Sequence, residues 1–189
     1  MAIKIYVDQG HNPRDYNTGA EGNGYFEQDI TYRVGKLLER YLTEDPNFEV
    51  RLSRPNESTL LGVSNSTSLS ARVNDANSWG ANLFISLHTN ASVLPSANGA
   101  ECLIYSYSAT EAYAVAEDVL FQLTLVTGLR SRGVIERPGL YVLRKTAMPA
   151  VVVEMGFITN SSDAALMVSS PNLFALGIYR GILEYYGLL

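Results

Sequence analysis

The chain has 189 residues, 47% of them hydrophobic and 17% charged, which suits one domain with a full core. A net charge of −5 excludes a nucleic-acid binder that works through a basic face. No apolar run reaches the roughly 18 residues of a membrane span, and the single cysteine, Cys102, excludes an internal disulfide.

In chain order, the first element is a strand over 3–8, Ile3-Lys4-Ile5-Tyr6-Val7-Asp8. The chain enters it without the charged-then-apolar layout of a signal peptide, so any export signal is expected to have been cut away, or the protein to leave its cell by another route. Residues 12–26 hold Gly19, Gly22 and Gly24 with no apolar period and read as a loop. A helix is predicted over 27–42, where Ile30, Val34, Leu37, Leu38, Tyr41 and Leu42 keep the spacing of one buried face. A strand follows over 48–53, then a Ser/Thr/Asn-rich loop over 54–67. Loops this long in a compact domain are usually functional or mobile. A second helix is predicted over 68–79, with Ser68 or Ser70 as N-cap, and strands over 82–88 and 100–106. A helix over 111–127 ends at Gly128, a fitting C-cap. Strands are predicted over 140–144 and 149–154, and a last helix over about 172–186. Strands alternating with helices imply an α/β domain, a largely parallel sheet of about six strands with helices on both faces.

His11 and His88 are the only histidines, and each follows a strand pattern. The carboxyl edge of an open α/β sheet is where such folds place their chemistry, and neutral imidazole is the commonest protein ligand of zinc. A catalytic zinc takes three protein ligands and keeps one position open. Glu27, opening the first helix, is the candidate third ligand, and its ionised form is favoured by the helix dipole. A first-turn helix acid and two hydrogen-bonded histidines are the plainer reading of the same residues. Glu154 ends the apolar run Ala150-Val151-Val152-Val153. A charge there needs a partner or a task; burial would lift its pKa toward that of a general base, while a salt bridge would leave it structural. Cys102, inside a strand pattern with no histidine left to activate it, reads as a buried thiol rather than a nucleophile.

Taken together, Val7-Asp8-Gln9-Gly10-His11, Phe26-Glu27-Gln28-Asp29, Leu69-Ser70-Ala71-Arg72, Leu83 to Asn90, Val142-Leu143-Arg144 and Met148-Pro149 through Glu154-Met155-Gly156-Phe157-Ile158-Thr159-Asn160 resemble the zinc-dependent N-acetylmuramoyl-L-alanine amidases of the amidase-3 type. The resemblance runs from Ile3 to about Gly187 and implies a single amidase catalytic domain over 1–189 with a twisted mixed sheet. It implies Zn2+ on His11, Glu27 and His88, and Glu154 as the catalytic glutamate. The implied reaction is hydrolysis of the amide between the lactyl group of N-acetylmuramic acid and L-alanine in bacterial peptidoglycan, at the cell wall, by an autolysin, a spore-wall enzyme or a phage lysin. Asn12-Pro13 stands where the family commonly has Gly-Gly, and Gln28 where lysine is frequent; neither removes a ligand.

Three further residues carry weaker expectations. Asn90 is read as orienting His88, meeting substrate or making a turn, Arg144 as a strand-end cation for a stem-peptide carboxylate, and Arg72 as half of a structural ion pair. Two rival functions share the pattern: a zinc peptidase or carboxypeptidase of the stem peptide, and a wall-binding module without catalysis. Because the wall is itself anionic, the acidic balance gives no long-range attraction, and targeting is expected from flanking sequence, from a partner or from weak direct contact.

Overall fold

A computed structural model describes residues 2–189. Strands β1 (Ile3–Gln9), β4 (Phe48–Leu52), β5 (Leu83–Asn90), β6 (Ala100–Ile104), β7 (Ser131–Glu136) and β8 (Ala150–Phe157) form one sheet in the order β4-β1-β5-β8-β6-β7. The first four strands of that order run parallel, β6 is antiparallel to β8, and β7 is parallel to β6. A two-residue hairpin, β2 (Glu21–Gly22) with β3 (Tyr25–Phe26), lies in the first polar loop. The helices are α1 (Glu27–Glu44), α2 (Asn65–Trp79), α3 (Thr110–Thr127), α4 (Tyr141–Lys145), α5 (Ser161–Ser169) and α6 (Pro171–Tyr185). Among the described residues, no single helix is long and apolar enough to cross a membrane.

Successive strand side chains point to opposite faces, and the two cores follow that alternation. Ile5, Val7, Leu83, Ile85, Leu87, Val151, Val153 and Met155 join Val34 and Leu38 of α1, Val119 of α3 and Ile178 of α6 in the larger core. Tyr6, Phe84, Ala150 and Val152 face the other way, onto Val73 and Ala76 of α2 and Val142 and Leu143 of α4. That second layer is thin. In the alternation of β1, β5 and β8, the residues that continue its face toward the carboxyl edge are Asp8, Ser86, His88 and Glu154.

Five expectations are corrected. Residues 140–144 are not a strand; Tyr141–Lys145 is a short helix, with the Arg144 N–H bonded to Leu140 O at 3.1 Å. Four consecutive apolar residues satisfy either reading, and burial of Val142 and Leu143 under the thin layer decides for helix. The missing strand is β7, an exposed edge strand broken by Gly133 at φ 89°, with an irregular register against β6 that erases the period-two pattern. Helix α5 is an addition: Asn160 caps it, accepting from the N–H groups of Ser162 and Asp163. Helix α2 starts earlier than 68, where Ser64 and Thr67 make a reciprocal capping box, so Ser68 is a buried helix residue and not the cap. The strand expected over 100–106 ends at Ile104.

Candidate metal centre and active site

Each residue of the site arrives by a different route. His11 lies two residues beyond β1 with φ 69°, in the left-handed region that a side chain enters at a cost of about 1–3 kcal/mol. Arg72 of α2 holds it there: its Nη2 donates to His11 O at 2.7 Å, and its Nη1 donates to Gln9 O and to Asp8 Oδ1, both at 2.6 Å. Glu27 is the first residue of α1 and 3% exposed; the helix has no side-chain N-cap, and the carboxylate folds back over the sheet edge. His88 sits in β5 directly opposite Glu154 of β8.

The donor atoms converge. His11 Nε2 lies 3.2 Å from Glu27 Oε2, and His88 Nδ1 lies 3.0 Å from Glu27 Oε1. One ligand atom from each of the three residues falls within 4.8 Å of the others. Outer contacts fix the set. His11 Nδ1 faces Asn17 O at 3.2 Å, which favours the N–H on that nitrogen and leaves the Nε2 lone pair free. Glu27 Oε2 accepts from the Ala20 N–H at 2.8 Å and Oε1 from the Thr89 N–H at 2.9 Å. The polar loop before α1 thus walls the site. Two glycines permit the crowding: a Cβ on Gly10 would stand 2.6 Å from His88 Cε1, and one on Gly19 2.6 Å from Glu27 Cβ.

Burial pushes Glu27 up, but hydrogen bonds and charge from His11 and His88 outweigh it and hold the carboxyl far below its usual range. His88 moves the other way: burial lowers its pKa, and the bond and charge of Glu27 raise it further. Two imidazoles and a carboxylate fit a borderline-soft divalent ion, zinc first.

Glu154 completes the cluster. Its Oε2 is buried with no hydrogen-bond partner, and burial, with the charges of Glu27 and Glu101, lifts its pKa to about 7 against the opposing pull of His88. A carboxyl poised near neutrality beside a cation site is what a general base requires. With His11 and His88 it lines a cavity of about 290 Å³ whose remaining wall is mostly apolar: Leu69, Leu103, Leu140, Tyr141, Val142 and Val152.

A family profile described as N-acetylmuramoyl-L-alanine amidase matches residues 5–184. The chain belongs to this amidase family. It is 36% identical over 180 residues to the N-acetylmuramoyl-L-alanine amidase CwlM of Bacillus licheniformis and 35% identical over 185 residues to LytC of Bacillus subtilis (strain 168), covering 95% and 96% of this chain. It spans 65% and 35% of the lengths of those two amidases. Among solved structures, the catalytic domain of the amidase CwlV from Bacillus (Paenibacillus) polymyxa superposes with a TM-score of 0.86 at 29% identity, covering 99% of both chains. An amidase from Clostridium difficile 630 superposes at 0.88 and 26% identity, covering 98% of this chain and 97% of that one.

Of the remaining expected residues, Arg72 borders the site of this amidase fold, while Asn90 and Arg144 take other contacts. Among the described residues no hydrogen bond joins the side chains of Asn90 and His88; Asn90 Nδ2 donates to Glu101 Oε1 at 2.9 Å. Arg144 is exposed on α4 and lines a separate surface hollow with Tyr105, Thr110 and Met148. Arg72 pairs with Asp8, both 1% exposed. Three neighbours escaped sequence reasoning. Glu101 of β6 lies opposite Glu154 and accepts from Arg132 Nε at 2.7 Å, and Arg137 lines the cavity. An acid next to the lone cysteine and two arginines in an unrecognised edge region gave no signal without strand pairing. Cys102 is fully buried, and burial pushes its thiol far up.

Proposed function

We propose that this chain is a single zinc-dependent catalytic domain that hydrolyses the amide between the lactyl group of N-acetylmuramic acid and L-alanine in bacterial peptidoglycan. The observation that carries the reading is the convergence of one donor atom each from His11, Glu27 and His88 within 4.8 Å, beside an unpaired buried carboxyl oxygen of Glu154. Membership of the amidase family supplies the substrate class.

His11, Glu27 and His88 hold the cation, and their outer contacts with Asn17, Ala20 and Thr89 keep the donors aimed before it arrives. When bound, zinc supplies Lewis acidity, acidifying the attacking water and offsetting the negative charge that builds on the carbonyl oxygen. Glu154 takes the proton from that water and delivers it to the alanine nitrogen, since an amide departs poorly as an anion. The apolar cavity wall excludes competing water and strengthens the electrostatics of the site.

The site of action is the cell wall, reached by export or carried by a phage. A net charge of −5 gives no long-range pull toward an anionic wall. Mass spectrometry of digested sacculi tests the reading. Peptides led by a free L-alanine amine are expected, with release abolished by a chelator and restored by zinc. Alanine left on muramic acid would reassign the chain as a stem peptidase. Wall binding with neither cleavage nor tightly bound zinc would make it a binding module.

A further inference from the structure

The cavity beside Glu154 holds four formal charges besides the proposed zinc ligands: Asp8, Arg72, Glu154 and Arg137. Asp8 and Arg72 neutralise each other within the protein. Arg137 differs from every other cation there. It follows β7 at the cavity rim, its side chain is exposed, and its only side-chain hydrogen bond is Nη1 to the carbonyl of its neighbour Glu136 at 3.0 Å. No carboxylate pairs with it among the described residues. Its backbone, by contrast, is tied down: the Arg137 N–H donates to Ile104 O at 2.8 Å, and Arg137 O accepts from the Leu140 N–H at 3.1 Å. An uncommitted guanidinium is thus mounted on a fixed turn, on the wall of the cavity that Glu154 also lines.

We infer that Arg137 recognises a carboxylate of the stem peptide, that of the residue following alanine, and so makes the enzyme prefer stems in which this group is free over stems in which it is a carboxamide. The inference rests on the amidase reading above. Guanidinium and carboxylate match as a two-pronged, charge-assisted pair, whereas a carboxamide offers one acceptor and a donor that clashes with the fork. Arg137 and Glu154 line the same cavity of about 290 Å³, so a stem peptide placed against Glu154 has the guanidinium on the wall beside it. The rigid turn lets the pair form without first ordering a loop.

The test uses the zinc-loaded chain and two soluble peptidoglycan fragments, identical but for a carboxylate or a carboxamide on the second stem residue. The parent is expected to favour the carboxylate in kcat/KM by about two- to fivefold, the size of a solvent-exposed ion pair. In Arg137→Ala the preference falls to unity through a raised KM on the carboxylate fragment alone, with kcat and the rate on the carboxamide unchanged; Arg137→Lys keeps part of it. Equal parent rates on both fragments, or a preference that survives in Arg137→Ala, overturn the inference and leave the amidase reading standing. Failure of the parent to cleave either fragment overturns the amidase reading itself. Since Arg137 is exposed, the variants are expected to fold as the parent does, and thermal unfolding checks this.

Discussion

Asp8 and Glu154 are carboxylates on the two strands that flank β5, near the same edge of the sheet, and neither is freely solvated. Asp8 has every partner it can use: Arg72 on Oδ1 at 2.6 Å and Ser86 on Oδ2 at 2.7 Å. Burial would raise its pKa, but Arg72 and Ser86 outweigh that and hold it below the usual value. Glu154 has a buried oxygen with no partner and a pKa lifted to about 7. The difference lies in neighbours rather than depth. A fully bonded acid fixes the backbone around it, and an unbonded acid keeps its proton affinity for a reaction.

The sharpest way to break this comparison is to remove each charge in turn. Glu154→Gln is expected to lose about a hundred- to ten-thousand-fold in sacculus hydrolysis while retaining zinc and unfolding at or above the parent's temperature, because an unsatisfied buried charge is gone. Hydrolysis at the parent's rate would end the assignment. Arg72→Ala should do the reverse kind of damage, destabilising the fold by about 3–5 kcal/mol in denaturant titrations by leaving the buried Asp8 with Ser86 but without its countercharge. It would also free the strained His11 backbone, so zinc affinity is expected to drop with stability; unchanged affinity in the folded fraction would show that Arg72 does not hold His11.

Acid sharpens the contrast. With its folded pKa depressed, Asp8 adds stability that is fully present above its unfolded value of about 3.9 and is lost as pH falls through the folded value. Unfolding free energy measured from pH 7 down to pH 3 should therefore fall less steeply in Asp8→Asn than in the parent. The smallest effect concerns Cys102, a third polar group of this sheet: its fully buried thiol should stay unreactive toward an exposed-thiol reagent in the native state and react only on unfolding.

Much of the site was readable because its residues sit at transitions between patterns. His11 and His88 each stand where an apolar strand turns polar, Glu154 is the one charge inside an apolar strand that runs on to Phe157, and Glu27 stands where an amphipathic helix opens. What could not be read was pairing. That Glu154 faces His88 on one side and Glu101 on the other depends on β8 lying between β5 and β6, the latter reversed, and no local pattern specifies that order. The misreading of 140–144 as a strand had the same origin, and it carried Arg144 with it. The cation that does border the cavity, Arg137, comes just before that segment, in a turn whose position follows from how α4 caps the thin core layer.

Gly10 and Gly19 close the floor of this centre to any larger residue, since a single added carbon at either would collide with the groups proposed to bind metal. The catalytic end is therefore mutationally frozen from below. Changes in which walls this protein digests are better tolerated at Arg137, exposed on the rim turn, than beneath the metal donors.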